Sequence, residues 1–381
     1  PIMFVVSGIM LGLSASLLLD RVTLDEKHVR ALVAVWITFL LLYQLFFGKL
    51  TRPLDEAVYL TAAELYVRGK GVSAYNWEHP PLAKFIAGVF MLIGGVTGAQ
   101  VSALLFGGMM LVLVGELSRK LGCDSTLPVL LLGMDPVFLV ASTTVLLDVY
   151  AAVYALCAWV VYEYWKRDMW KIVICGFFYG LALACKFTSL LTLLGLAALV
   201  AYRCEDIYEA ARSLVLFVLS VFLGYLPSYL PFLLENGAYM FLKLQLEMIS
   251  FHSGAVDLRW IENALLLTLG VSRCFYPPDY SEAMVGVDVK SINPLLGAGY
   301  VLSIPLSVIL WWRKQLSSDL LYYLVPSMCL VLLLSPLSFY FTAVLPGVYI
   351  CVGSFLATVD RRWRRAYVVS AAGLTALSMV L

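Results

Sequence analysis

The sequence predicts an all-α, polytopic integral membrane bundle of about 11 to 12 transmembrane helices, with an amphipathic first loop outside the membrane. Three observations carry this. Of 381 residues, 62% are hydrophobic and only 13% charged, with a mean hydropathy of +0.91, so too few polar groups exist to cover a soluble domain. Apolar runs of about 20 residues, each long enough to cross the hydrocarbon as a helix, recur along the whole chain. Basic clusters return after every second run, the pattern that fixes which loops stay in the cytoplasm. The formal charge of +1, from 26 Lys and Arg against 25 Asp and Glu, gives no sign of a nucleic-acid partner or a polyanionic tail.

The runs are 1–19, 31–47, 101–117, 127–142, 146–165, 172–185, 190–201, 214–234, 295–312, 320–334, 341–359 and 367–381. The first lacks the basic leader and small-residue cleavage site of a signal peptide and is read as a span. Arg119-Lys120, Lys166-Arg167 with Lys171, Arg203 with Arg212, Arg313-Lys314 and Arg361 to Arg365 mark the cytoplasmic loops. This layout requires 85–97, which carries Gly94-Gly95, to be a partial or interface-lying helix. The whole chain, 1–381, is then a single transmembrane domain. Its external face receives a first loop at 48–99, the turns 141–145 and 186–189, and a second loop region at 235–293. Eight cysteines scattered without paired spacing support neither a disulfide framework nor a zinc knuckle.

The polar residues of interest fall on that external face. Asp55 begins an amphipathic segment in which Asp55, Tyr59, Ala63 and Tyr66 recur at helical spacing, until Arg68-Gly69-Lys70-Gly71 ends it. Glu56 stands beside Asp55, and Glu78-His79-Pro80-Pro81 closes the loop. In plainer terms, Asp55 is a helix cap and Glu64 with Arg68 a surface pair. Asp148 and Lys186 interrupt apolar helices. At 1.5 Å per residue they lie about 27 Å from Lys166 and about 22 Å from Lys171, near the external boundary. Charges at such depths are expensive and face a cavity or each other rather than lipid; a purely structural ion pair is the simpler alternative. From 235 onward, Met240, Phe241, Leu244 and Met248 oppose Lys243 and Glu247, as in a helix lying in the interface, and His252 and Arg259 follow it.

LDEAVY, followed by WEHPPLAKFIAG, resembles the first external loop of the protein O-mannosyltransferases, glycosyltransferases of the membrane-embedded GT-C class. VLLDVYAAVYALCAWVVYEYW, GLALACKFTSLL and SFYFTAVLPGVY are similar to later blocks of that family in the same order, so the resemblance runs from about residue 31 to about residue 359. It implies a GT-C bundle and an inverting transfer of a sugar, typically mannose, from a polyprenyl (dolichyl) phosphate to a Ser or Thr hydroxyl of a protein. The reaction would take place on the extracellular face of the plasma membrane.

Carried onto this chain, the resemblance makes Asp55 the general base, with Glu56 beside it in the catalytic group. Glu78, His79, Lys186, Asp148 and Arg259 would bind the donor phosphate or sugar, and Tyr59, His252 and Tyr340 would line the acceptor pocket. Two departures stand out: Ala141-Ser142-Thr143-Thr144 and Ser335-Pro336-Leu337-Ser338 occupy places where the family carries Arg. No lectin-like domain is inserted. A related group moves aminoarabinose or other sugars from polyprenyl phosphate to lipids, so a lipid or glycan acceptor is the alternative. No cofactor beyond the lipid-linked donor is expected. Nor is a divalent metal, because a site needs three or four ligands and only Glu78, His79 and His252 are on offer. From other classes, a secondary transporter would show broken helices in two matching halves, and a structural subunit would leave the acids and the HPP turn without purpose.

Overall fold

The computed structural model describes residues 55–123, 125–165, 169–253, 293–333 and 342–380, the backbone of 272–276 and 284–288, and scattered helical positions between 31 and 46. The chain is a helical membrane bundle. Its elements run α1 (Asp55–Val67), α2 (Leu82–Lys120), α3 (Thr126–Gly133), α4 (Pro136–Thr143), α5 (Leu147–Tyr164), α6 (Met169–Cys185), α7 (Leu190–Tyr202), α8 (Ile207–Tyr225) and α9 (Leu230–Ser253). A short hairpin of β1 (Ser272–Tyr276) and β2 (Met284–Asp288) follows, then α10 (Pro294–Trp312), α11 (Asp319–Leu333), α12 (Leu345–Thr358) and α13 (Arg361–Val380). The antiparallel hairpin, with Cys274 opposite Gly286, is a local addition to an otherwise helical chain. It falls in the predicted second external region, where turn-rich sequence replaces the apolar runs.

Among the described residues three helices are long and apolar enough to cross a membrane: Leu82–Lys120, Ile207–Phe251 through α8 and α9, and Pro294–Trp312. The run 127–142 is not one straight span. It breaks into α3 and α4, bent by 70°, because Pro136 cannot continue a helix and Asp135 caps the new one, accepting hydrogen bonds from the Val137 and Phe138 amides at 2.7 and 3.1 Å. Met169–Cys185, Phe187–Tyr202 and Leu345–Thr358 are shorter apolar helices. The expected runs 1–19 and most of 31–47 lie outside the described residues, and the predicted span count is not reproduced by this set.

Residues 85–97 are not one helix, because the break in α2 falls inside them. Inside α2, Gly94 and Gly95 leave the helical region, Gly95 with φ 60° and ψ −149°, a conformation open essentially to glycine alone. The chain turns back so tightly that a Cβ on Gly98 would lie 2.2 Å from the Phe90 carbonyl oxygen. The basic 361–365 run, placed in a loop by the sequence, instead forms the first turns of α13. In α9, Leu244 and Met248 are buried, with Phe241 edge-on to Tyr229 at 5.4 Å. That part of the apolar face is therefore covered by protein.

The two ends of the bundle are chemically distinct. At one end Lys120 sits over the Tyr164 ring at 5.1 Å, Lys171 over Tyr162 at 3.8 Å, and Arg203 pairs with Asp319. These are residues of three of the predicted cytoplasmic clusters, gathered at the C-terminal end of α5. Asp148 lies in the first turn of the same helix, about 21 Å away at 1.5 Å per residue.

Candidate active site

α1 is held against the bundle by its acidic second residue. Glu56 is 6% exposed, and its Oε1 accepts hydrogen bonds from Gln100 Nε2 at 3.1 Å and the Val145 amide at 3.2 Å. One carboxylate thus ties α1 to the second half of α2 and to the turn before α5. Asp55, one residue earlier, is only half-buried and opens the helix. Partial burial raises its carboxyl above the ordinary aspartate range; Lys186 pulls it back and Glu78 adds to the rise. Asp148 also lies within electrostatic reach of Asp55.

Lys186 follows the last turn of α6, where its extended backbone stops the helix. Its Nζ donates to Asp148 Oδ2 at 2.7 Å and lies 6.0 Å from the centre of the Tyr59 ring. The other carboxylate oxygen, Asp148 Oδ1, has no hydrogen-bond partner among the described residues. Tyr59 faces His79 edge-on at 5.6 Å between ring centres. α6 reaches this position by packing on α8 backbone to backbone at Gly180 and Gly224: a Cβ on Gly180 would stand 2.1 Å from the Val221 carbonyl oxygen, and one on Gly224 2.1 Å from that of Phe177. Asp55, Tyr59, Glu78, His79, Asp148 and Lys186, drawn from α1, the loop before α2, α5 and the end of α6, therefore meet at the end of the bundle opposite the basic clusters.

Other predicted residues stand elsewhere. Arg259 and Tyr340 lie outside the described residues, and of His252 only the backbone, near the end of α9, is described. Glu64 and Arg68 form the expected exposed pair at 2.7 Å; Lys243 and Glu247 also pair, at 3.8 Å. Among the described residues no group of three His, Cys, Asp or Glu side chains is placed to hold a metal ion. A cavity of about 450 Å³, lined by Tyr162, Lys171, Arg203, Glu209 and Arg212 among others, belongs to the basic end and borders none of the candidate residues.

The sequence reading missed Lys84 and Asp135. Lys84 is fully buried, and its Nζ donates to the carbonyl oxygens of Asn76 at 2.6 Å and His79 at 2.7 Å and to Asn76 Oδ1 at 3.1 Å. The Tyr66 hydroxyl is 3.3 Å away and lies 2.8 Å from both the Val72 and Tyr75 carbonyl oxygens. Burial pushes that hydroxyl's pKa up, keeping it protonated. Asp135, besides capping α4, accepts hydrogen bonds from the Tyr300 and Tyr349 hydroxyls of α10 and α12. A lone Asp-Pro inside an apolar run was the available signal for Asp135.

Residues 78–227 match the family model described as dolichyl-phosphate-mannose-protein mannosyltransferase. The match is less than half of the chain; it takes in Glu78, His79, Asp148 and Lys186 and begins after Asp55. Two solved structures of ArnT from Cupriavidus metallidurans share the fold. With the one bound to undecaprenyl phosphate the TM-score is 0.61 at 15% identity, over 89% of this chain and 62% of that one. With the apo state it is 0.59 at 16% identity, over 87% and 60%. The chain thus spans less than two thirds of the length of the ArnT chains it matches. No curated protein matches it by sequence. The resemblance to the protein O-mannosyltransferases and to the GT-C class stands on both comparisons.

Proposed function

We propose that the chain is an inverting GT-C glycosyltransferase that moves a sugar from a polyprenyl-phosphate donor to a hydroxyl acceptor on the non-cytoplasmic face. The observation that carries the reading is the meeting of Asp55 with the Lys186–Asp148 pair at the end of the bundle away from the basic clusters. A half-buried carboxylate with a raised pKa suits a base that must be ionised yet basic enough to take a hydroxyl proton. The acceptor oxygen attacks the anomeric carbon, Asp55 takes its proton, and the bond from that carbon to the phosphate oxygen breaks. The leaving group is a phosphate already stable as an anion, so positive groups aimed at it matter more than a general acid. Lys186 as a cation and His79 as a hydrogen-bond donor fill that role, and the resemblance adds Arg259 as a further donor-binding residue.

In this reading Asp148 holds Lys186, Glu56 positions Asp55 through its anchors on Gln100 and Val145, and Glu78 orients Asp55 or the sugar. Tyr59 lines the acceptor side, where the resemblance also assigns His252 and Tyr340. The family match favours mannose as the sugar and a protein Ser or Thr as the acceptor. Purified protein incubated with radiolabelled polyprenyl-phosphate mannose or glucose, and with candidate peptides, lipids or glycans, tests this directly. Label transferred to a peptide from the mannose donor is the expected result. Label moving only to a lipid or glycan would replace the acceptor assignment, and no transfer from either donor to any acceptor would remove the reading.

A further inference from the structure

Lys84 lies three residues into the first turns of α2, in a helix otherwise apolar there, and has no contact with Asp55 or Lys186 to explain it. Its burial is complete, and a buried ammonium is tolerated only where its protons are met by acceptors. Here those acceptors all come from the 66–79 stretch that leads to the Glu78-His79 pair: the two carbonyl oxygens and the side-chain oxygen already named, plus the Tyr66 hydroxyl. The same Asn76 side chain continues outward, its Nδ2 donating to Glu78 Oε1 at 2.6 Å.

The amide orientation follows from chemistry. Lysine only donates and an ionised carboxylate only accepts, so a single orientation of the Asn76 amide satisfies both neighbours. Asn76 has φ 50°, in the left-handed region that Asn and Gly enter readily and most residues do not. Backbone conformation, amide orientation and the buried ammonium therefore specify one another.

We propose that Lys84 and Asn76 form a positioning relay that fixes the Glu78 carboxylate and the His79 main chain beside Asp55. Neither residue need touch substrate. The inference rests on the catalytic reading of Asp55 for its purpose, though not for its geometry. Among the described residues, Lys186 from the end of α6, Asp148 from α5 and Glu78 from the loop before α2 act electrostatically on Asp55. The relay sets the position of the third.

An infrared titration of the carboxyl band that disappears in Asp55→Asn reads Asp55 protonation in purified protein without any substrate. Asn76→Gly keeps the positive φ accessible and deletes only the amide link. The midpoint is expected to fall in Glu78→Gln, which removes the like charge beside Asp55, to move in Asn76→Gly, which frees that charge from its position, and to be the same in the double variant as in Glu78→Gln alone. Lys84→Met, checked for folding by size-exclusion elution, is expected to move it too. An unchanged midpoint in folded Asn76→Gly overturns the relay, whether or not Glu78→Gln shifts. Failure of the catalytic reading shows separately, as undiminished sugar transfer by Asp55→Asn.

Discussion

Lys186 and Asp148, 38 positions apart in sequence, form an ion pair of 2.7 Å with their side chains only 3% and 1% exposed. Removing one partner leaves the other charge buried and uncompensated, which costs about 3 to 5 kcal/mol, whereas removing both together is far milder. Lys186→Met is therefore expected to lower the thermal unfolding midpoint in detergent sharply, and Lys186→Met/Asp148→Asn to recover much of it. Equal midpoints for the single and double variants would show that the pair is not coupled.

Transfer should depend on pH through Asp55. Its carboxyl is raised by burial, lowered by Lys186 and raised by Glu78. A base works only when ionised, so activity falls as pH drops through the raised value, and the acid limb stands above the ordinary aspartate range. Glu78→Gln moves that limb down and Lys186→Met moves it up. For stability the sign is opposite to that of a salt-bridged carboxylate: the fold favours protonated Asp55, so its contribution is present at low pH and is lost as pH rises through the folded value. Kinetic pH profiles of the three proteins check the ordering.

Asp135 is a structural keystone on the geometry seen here. Tyr349→Phe deletes one hydrogen bond to a buried carboxylate and should cost about 1.5 to 3 kcal/mol. Asp135→Ala also uncaps α4, adding about 1 kcal/mol. Comparing unfolding of the two variants tests this order.

The glycine contact between α6 and α8 admits no side chain. Gly180→Leu drives a Cβ to 2.1 Å from a backbone oxygen that cannot swing aside, so the variant should fail to accumulate as folded protein. Gly108→Ala, where nothing lies within 4 Å, is the matched control and should behave as the parent protein.

How much of this was legible in the sequence follows from the cost of charge in lipid. Asp148 and Lys186 stood out because apolar helices tolerate such residues only for a reason, and Asp55 with His79 because a polar segment interrupts the spans. Gly94-Gly95 permitted a break in α2 without announcing it, because small residues serve close helix packing as readily. Lys84 was hidden because a lysine near a helix start reads as one that snorkels to the surface. Its burial arises only when 66–79 folds over it. The anchoring role of Glu56 depends on Gln100 and Val145, partners 44 and 89 positions away, which no local pattern encodes. The bend at Asp135-Pro136 was passed over because hydropathy averages across it.

The most direct test of the central claim compares sugar transfer by Asp55→Asn with the parent protein, using polyprenyl-phosphate mannose and whichever acceptor the parent labels, with undecaprenyl phosphate binding measured on both. Loss of a general base predicts a rate lower by about 10²- to 10⁴-fold, with undecaprenyl phosphate still bound and the protein still folded. Transfer at the parental rate by folded Asp55→Asn would contradict the account.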